Sequence, residues 1–189
     1  MSATILCGDA SARRAMGSHQ SARADNDEWL TPPALLALLG DFDLDPCAPV
    51  ERPWATAAEH FTRFDDGLNR RWRGRVWLNP PYGTAEQWLQ RLADHGNGIA
   101  LIFARTETAM FFRCVWERAE ALLFLRGRLH FHFVNGQRAK ANAGAPSVLV
   151  AYGARNVTVL RDLDLGAYVE LTHRRLSKVT MGLPLEAAA

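Results

Sequence analysis

The sequence predicts a single α/β domain built around a mainly parallel, doubly wound sheet. Apolar runs that suit buried strands alternate along the chain with segments whose apolar residues recur at helical spacing. The run at residues 99–104 is apolar throughout, as expected of a strand covered by helices on both faces. Polar clusters directly follow several of the predicted strands, and ligands bind at that edge of open sheets.

Length and composition are consistent with one folded domain and two tails. The chain has 189 residues, of which 48% are hydrophobic, enough for an ordinary core. Residues 1–24 are rich in Ser, Ala, Gly and Arg without an apolar period, so we predict a flexible N-terminal arm. Residues 25–165 form the predicted domain. Residues 166–189 form a C-terminal tail in which we expect a final strand.

Charge and cysteine content restrict the class of protein. The net charge of +2 does not itself indicate a nucleic-acid partner. Almost all cations are arginines, which suit bidentate contacts to phosphate and guanine, although genome composition is an alternative explanation of the bias. Three widely spaced cysteines favour a reducing compartment over a disulfide framework or a zinc site. No apolar run approaches about 20 residues, so we expect a soluble cytoplasmic protein without a membrane span.

In the first half of the chain the sequence predicts two helices and two strands. A helix is predicted from an N-cap at Thr31 to Gly40. A short strand at 42–45 follows and ends in Asp-Pro, then a short helix at 55–60 and a strand at 75–78.

The second half repeats the alternation. Alternating His130 and His132 indicate a half-exposed strand, with solvent-facing histidines favoured over metal ligands. The remaining predictions are helices at 84–95 and 109–119, strands at 99–104, 121–125, 129–133 and 147–152, a polar loop at 135–145 and a weaker strand at 157–160.

The most informative turn is Asn79-Pro80-Pro81-Tyr82, which follows the strand at 75–78. The prolines fix φ and cannot continue a ladder, so they make a rigid loop at the strand's carboxyl end. The Asn79 side-chain oxygen and the Pro80 carbonyl could accept both N–H groups of a nucleobase amine and aim its lone pair. Tyr82 would stack on a base swung out of a duplex. The alternative is an ordinary proline turn with a surface tyrosine.

Two further polar clusters follow predicted strands. Asp45-Pro46 ends the strand at 42–45, and an Asx turn is the alternative interpretation there. Arg105 to Thr108 follow the strand at 99–104. Arginines also alternate with tryptophans in the approach to Asn79, which suits either a nucleic-acid face or a solvated loop; they are Arg70, Arg71, Arg73 and Arg75. Clustering at one sheet edge strengthens the functional interpretation of each.

The order of these motifs resembles phage-type DNA N6-adenine methyltransferases, the Dam family, over roughly residues 17–152. The matching segments are Glu28-Trp29-Leu30-Thr31-Pro32, Leu44-Asp45-Pro46-Cys47-Ala48, Asp66-Gly67-Leu68, Val76-Trp77-Leu78-Asn79-Pro80-Pro81-Tyr82 and Arg105-Thr106-Glu107-Thr108. The last motif alone is less specific than the ordered set, because other amino-methyltransferases share Asn-Pro-Pro-Tyr.

The resemblance implies a Rossmann-like methyltransferase fold, S-adenosyl-methionine as cofactor, double-stranded DNA as partner and a phage or prophage origin. The implied catalytic residues are Asn79, Pro80, Pro81 and Tyr82. The implied cofactor-binding residues are Trp29, Thr31, Pro32, Asp45, Pro46, Cys47, Ala48 and Asp66. The expected DNA contacts are Arg71, Arg73, Arg105, Thr106 and Thr108. Cys47-Ala48-Pro49 replace the usual glycines, and Glu51 is a candidate for the ribose-binding acid.

Three hypotheses follow. The first is methyl transfer to adenine N6 in DNA, without a metal and with base flipping. Its target would be read by the 135–145 loop, the 50–64 segment or the N-terminal arm. The second is methylation of a protein glutamine, as in release-factor methyltransferases, which share the Asn-Pro-Pro-Tyr motif but have a Gly-rich first motif. The third is a non-catalytic nucleic-acid-binding module on a relic fold.

Overall fold

The computed structural model describes residues 28–172, so the predicted arm at 1–24 and the end of the tail lie outside the described residues. Within these residues, seven strands form one sheet, with helices on both faces. The strands are β1 Leu44–Asp45, β2 Glu59–His60, β3 Val76–Leu78, β4 Gly98–Phe103, β5 Ala121–Leu125, β6 Ser147–Tyr152 and β7 Gly166–Glu170. The helices are α1 Pro33–Leu39, α2 Ala85–His95, α3 Ala109–Phe111 with a π-helical continuation Phe112–Trp116, and α4 Ala154–Arg161, and a 3-10 turn spans Tyr82–Thr84.

The sheet is mixed, so the prediction of a mainly parallel sheet is confirmed only in part: β1 to β5 run in one direction, and β6 and β7 run in the opposite direction. The strand order is β2-β1-β3-β4-β6-β5-β7. The pairs β2–β1, β1–β3 and β3–β4 are parallel, whereas β4–β6, β6–β5 and β5–β7 are antiparallel. The apolar runs of β5 and β6 indicate strands that are buried on both faces. Because a parallel strand and an antiparallel strand give the same apolar run, the sequence does not reveal the direction of pairing.

The core has two layers, one on each face of the sheet. In β3, Val76 and Leu78 pack in the layer that contains Leu89 of α2. Trp77, between them, packs in the opposite layer with residues of α1 and α4. This alternation follows from the two-residue period of a strand. It holds β3, and therefore the loop that follows it, between two packed helical layers.

Several predicted elements differ in the structure. Residues 157–160 belong to α4 rather than to a strand, because Val157 and Leu160, three residues apart, both pack into the core. Residues 55–60 do not form a helix, and Glu59–His60 instead pairs parallel with β1. Residues 129–133 do not join the sheet, and His132 forms isolated bridges. The final strand is confirmed as β7, so the sheet extends past residue 165 into the predicted tail.

Arg75, one of the arginines in the approach to Asn79, is buried rather than presented to a partner. Its side chain donates to Asn156 Oδ1 at 2.7 Å and to the backbone oxygens of Leu39 at 2.9 Å and Asp41 at 2.8 Å. Burial lowers the pKa of the guanidinium to about 10, with Arg155 adding repulsion. Arg75 therefore joins the start of β3 to α1 and α4. No helix within residues 28–172 is long and apolar enough to cross a membrane.

Candidate active site

The turns after β1 and β3 meet at the carboxyl edge of the parallel strands and enclose a cavity of about 250 Å³. The segments 28–31 and 62–67 complete its wall. Among the residues predicted from the sequence, the lining contains Trp29, Thr31, Asp45, Pro46, Cys47, Ala48, Asp66, Asn79, Pro80, Pro81 and Tyr82. Pro32 and Glu51 do not line it. Eleven positions from four separate segments are thus brought together around one space.

The side chain of Asn79 has a fixed orientation. Its Nδ2 donates to the backbone oxygen of Trp29 at 3.0 Å. Because a carbonyl oxygen only accepts hydrogen bonds, the amide must present nitrogen to Trp29 and turn Oδ1 away from it. The thiol of Cys47 donates to the backbone oxygen of Asn79 at 3.6 Å, which holds the turn from the other side. Asn79 is therefore a positioned hydrogen-bond acceptor at the cavity wall.

Asp45 is buried at the end of β1 and hydrogen-bonded through both carboxylate oxygens. Oδ1 accepts from the backbone N–H of Cys47 at 3.2 Å, and Oδ2 accepts from the hydroxyl of Thr56 at 2.5 Å. Burial raises the pKa of this carboxyl from 3.8 to about 6, although both hydrogen bonds lower it. The bond to Cys47 is the Asx turn that the Asp-Pro sequence allowed, and it coexists with a place in the cavity wall.

Thr31 carries an unpartnered polar atom in this wall. The residue is buried, and its hydroxyl oxygen has no hydrogen-bond partner within the described part of the chain. It does not cap α1, as the sequence predicted, because the helix begins at Pro33 and Pro32 occupies the N-cap position. Buried hydroxyls are normally paired, and this one belongs to a residue that lines the cavity.

The mouth of the cavity depends on contacts that the motifs do not reveal. Asp66 adopts a left-handed backbone with φ 53°, and its carboxylate accepts from Asn69 at 2.8 Å. At Gly67 a Cβ would lie 2.0 Å from the backbone oxygen of Pro46, so only glycine allows the two turns to pack. Glu28 and Arg63 form an ion pair at 3.1 Å between lining residues. Sequence reasoning missed Glu28, Thr56, Arg63 and Gly67 as wall residues, since their partners are distant in sequence.

Tyr82 separates this cavity from a second one of about 770 Å³. One face of its ring stacks on Phe103 at a centroid distance of 4.2 Å and an interplanar angle of 11°. The side chain is 44% exposed, and burial of the hydroxyl raises its pKa. Trp29 also lines both cavities. The larger cavity is otherwise bounded by Phe103, Phe131, Phe133 and residues 137–144.

A family model described as DNA N-6-adenine-methyltransferase (Dam) matches residues 18–164. The chain belongs to the Dam family. No significant match was found among curated proteins or among solved structures. Family membership supports DNA adenine N6-methylation in general, with DNA as the substrate, and implies S-adenosyl-methionine as the methyl donor.

The predicted DNA contacts of this Dam-family chain fall in two places. Arg71 and Arg73 precede β3, at the edge of the sheet opposite Asn79, and line neither cavity. Arg105, Thr106 and Thr108 follow β4 at the same edge as Asn79, but they too line neither cavity.

Two of the residues after β4 have structural contacts. The hydroxyl of Thr108 accepts from the backbone N–H of Phe111 at 3.3 Å and caps α3. The carbonyl of Thr106 accepts from the indole of Trp116 at 3.0 Å. Arg105 is exposed. Within residues 28–172 no group of three or more His, Cys, Asp or Glu side chains could hold a metal ion.

Proposed function

We propose that the protein transfers a methyl group from S-adenosyl-methionine to the N6 amine of adenine in double-stranded DNA, with Asn79 at the reacting nitrogen. The observation that carries this proposal is the position of Asn79. Its amide lies in the wall of the smaller cavity, its nitrogen is held by Trp29, and an aromatic cavity begins at the neighbouring Tyr82. A methyl donor and an acceptor base need two such spaces that meet at one acceptor group.

The residues of the smaller cavity suit the cofactor. When bound, S-adenosyl-methionine supplies an electrophilic methyl group on a positively charged sulfur. Thr31 offers a buried hydroxyl without a partner in the described residues, and Asp45 offers an anionic carboxylate above its pKa of about 6. Asp66 lies at the mouth as an exposed acceptor. The walls between them are formed by Trp29, Pro46, Cys47 and Ala48, with Pro32 adjoining.

The chain's own groups prepare the adenine amine. Oδ1 of Asn79 and the backbone oxygen of Pro80 accept the two amine N–H groups, which directs the nitrogen lone pair away from the ring plane. Pro80 and Pro81 keep both acceptors fixed because their φ angles cannot relax. Tyr82 offers a ring face to a flipped base, while Phe103 supports the opposite face. Positioning and electrostatics carry the step, so no protein nucleophile is needed.

The test is transfer of labelled methyl groups to DNA by the full-length protein and by Asn79→Ala. We expect label in duplex DNA with the wild type and a loss of about 100-fold or more with the variant. Cofactor binding by calorimetry shows that the variant is folded. Label that survives nuclease but not protease would mean a protein acceptor, and equal incorporation by the two proteins would exclude the role given to Asn79.

A further inference from the structure

Residues 129–143 fold back on themselves as a hairpin-like ribbon that lines the larger cavity, with an isolated antiparallel bridge between His132 and Arg138. The backbone N–H groups of Ala139 and Ala143 donate to the oxygens of Phe131 at 2.8 Å and Leu129 at 2.7 Å. The tip is closed by Phe133, whose N–H donates to Gln137 at 2.9 Å, and by Gly136 in a left-handed conformation with φ 84°. The side chain of Asn135 accepts from the N–H of Gln137. The segment is therefore a preformed element rather than an open loop.

The ribbon is joined to the catalytic amide through two backbone contacts. His132 and Leu30 exchange N–H to oxygen bonds of 3.0 and 2.9 Å. The neighbouring Trp29 packs on Phe133 at 5.2 Å and holds the Asn79 side chain through its carbonyl. The ribbon thus has a set position relative to the reacting amine.

The exposed face of the ribbon is cationic. From residue 121 to residue 161 the sequence contains no Asp or Glu, and the part around the ribbon carries Arg126, Arg128, Arg138 and Lys140. Arg138 and Lys140 are exposed and flank the buried Ala139, so both point outward from the ribbon. Gln137 and Asn142, which can pair with base edges, are exposed beside them, and all four residues are at the rim of the larger cavity that they line.

The 50–64 segment is placed less favourably. It contributes Thr56, Thr62 and Arg63 to the smaller cavity, so much of it is committed to the cofactor side. It also carries two acids, Glu51 and Glu59, which cancel the charges of Arg52 and Arg63. The N-terminal arm lies outside the described residues.

We propose that the 129–143 ribbon enters the DNA major groove and reads the bases that flank the target adenine. The major groove admits a two-stranded ribbon of this kind. Arg138 reads a base edge, and Lys140 contacts the phosphate backbone. This inference rests on the proposed function, because it takes the larger cavity as the place of the flipped adenine.

The experiment uses duplexes with randomised bases around adenine, the full-length protein, and the exposed-residue variants Arg138→Gln and Lys140→Gln. Methylation is read by position, and duplex binding is measured by fluorescence anisotropy across salt concentrations. The matched control is Arg155→Gln. Arg155 is exposed at the start of α4. This helix follows β6, whose last residues pair with the amino end of β4, so Arg155 lies at the edge of the sheet away from the site.

Arg138→Gln should lower the preference at one or more flanking positions by about 5- to 100-fold, with cofactor binding unchanged. Lys140→Gln should weaken binding to all duplexes alike and reduce the salt slope by about one. Arg155→Gln should match the wild type in both readouts. The inference would be overturned if Arg138→Gln and Lys140→Gln showed the same base preferences around adenine and the same salt dependence of binding as Arg155→Gln. If the wild type transfers no methyl group, the proposed function fails, and the binding measurements still decide whether the ribbon contacts DNA.

Discussion

The polar side chains at the two ends of β3 have different roles. At the amino end, Arg75 is buried and makes hydrogen bonds to α1, to the turn after it and to α4. At the carboxyl end, Asn79 makes one side-chain bond that fixes its amide and turns its oxygen away from Trp29. The same cavity is lined by Thr31, whose hydroxyl has no partner within residues 28–172, and by Asp45, whose carboxyl has a raised pKa. Three hydrogen bonds tie Arg75 to the fold, although its Nη2 has no partner within residues 28–172, whereas Asn79, Thr31 and Asp45 line a cavity in which a raised pKa is typical of a functional site.

The strongest way to test this contrast is to measure activity and stability together at Asn79. Asn79→Ala should lower methyl transfer by about 100-fold or more, because it removes the acceptor that positions the amine. Its free energy of unfolding should fall by only about 1 kcal/mol, the value of one hydrogen bond. Single-turnover kinetics and urea denaturation provide the two readouts. A large stability loss with unchanged transfer per folded molecule would reverse the assignment.

Arg75→Met should show the opposite balance. The methionine keeps much of the apolar stem but leaves Asn156 and two backbone oxygens without their donor, so we expect a loss of about 2–4 kcal/mol in unfolding free energy. The folded fraction should retain cofactor affinity, since Arg75 lies at the other end of the strand. Denaturation in urea measures the first quantity and calorimetry the second. Unchanged stability would contradict the structural role.

The raised pKa of Asp45 predicts a pH dependence of stability. Between pH 4 and 6 the folded protein holds a proton on Asp45 that the unfolded chain releases, because burial raises the pKa from 3.8 to about 6. The stabilisation is complete below about pH 4 and is lost as pH rises through 6, by about 3 kcal/mol. Asp45→Asn should lack this decline when unfolding free energies of the two proteins are subtracted across pH. Parallel curves for both proteins would exclude the assignment.

Thr31→Val should give the smallest effect and the most selective one. The substitution keeps the shape of the side chain and removes a hydroxyl that has no partner in the described residues. Stability should hold or rise slightly, whereas cofactor affinity should fall about tenfold, equivalent to about 1.4 kcal/mol. Calorimetric titration with S-adenosyl-methionine measures the affinity. An affinity equal to that of the wild type would mean that the hydroxyl does not meet the cofactor.

Local sequence was enough to predict the two turns that line the smaller cavity. Asn79 to Tyr82 and Asp45-Pro46 were recognisable because each follows an apolar strand, and prolines force the chain out of a sheet at a known point. The carboxyl ends of neighbouring parallel strands share an edge, so the meeting of these turns was also predictable. Apolar periodicity likewise located α2, β4 and β5, with bounds close to those in the structure.

Tertiary structure alone decided the rest. The direction of β6 could not be predicted because an apolar run buried on both faces is identical for parallel and antiparallel pairing. The roles of Arg75 and Thr56 depend on hydrogen-bond partners that are remote in sequence. The role of Thr31 depends on its hydroxyl having no partner within residues 28–172. Sequence fixes which residues sit at the ends of strands, but burial and long-range hydrogen bonds determine which of those residues stabilise the fold and which remain able to react.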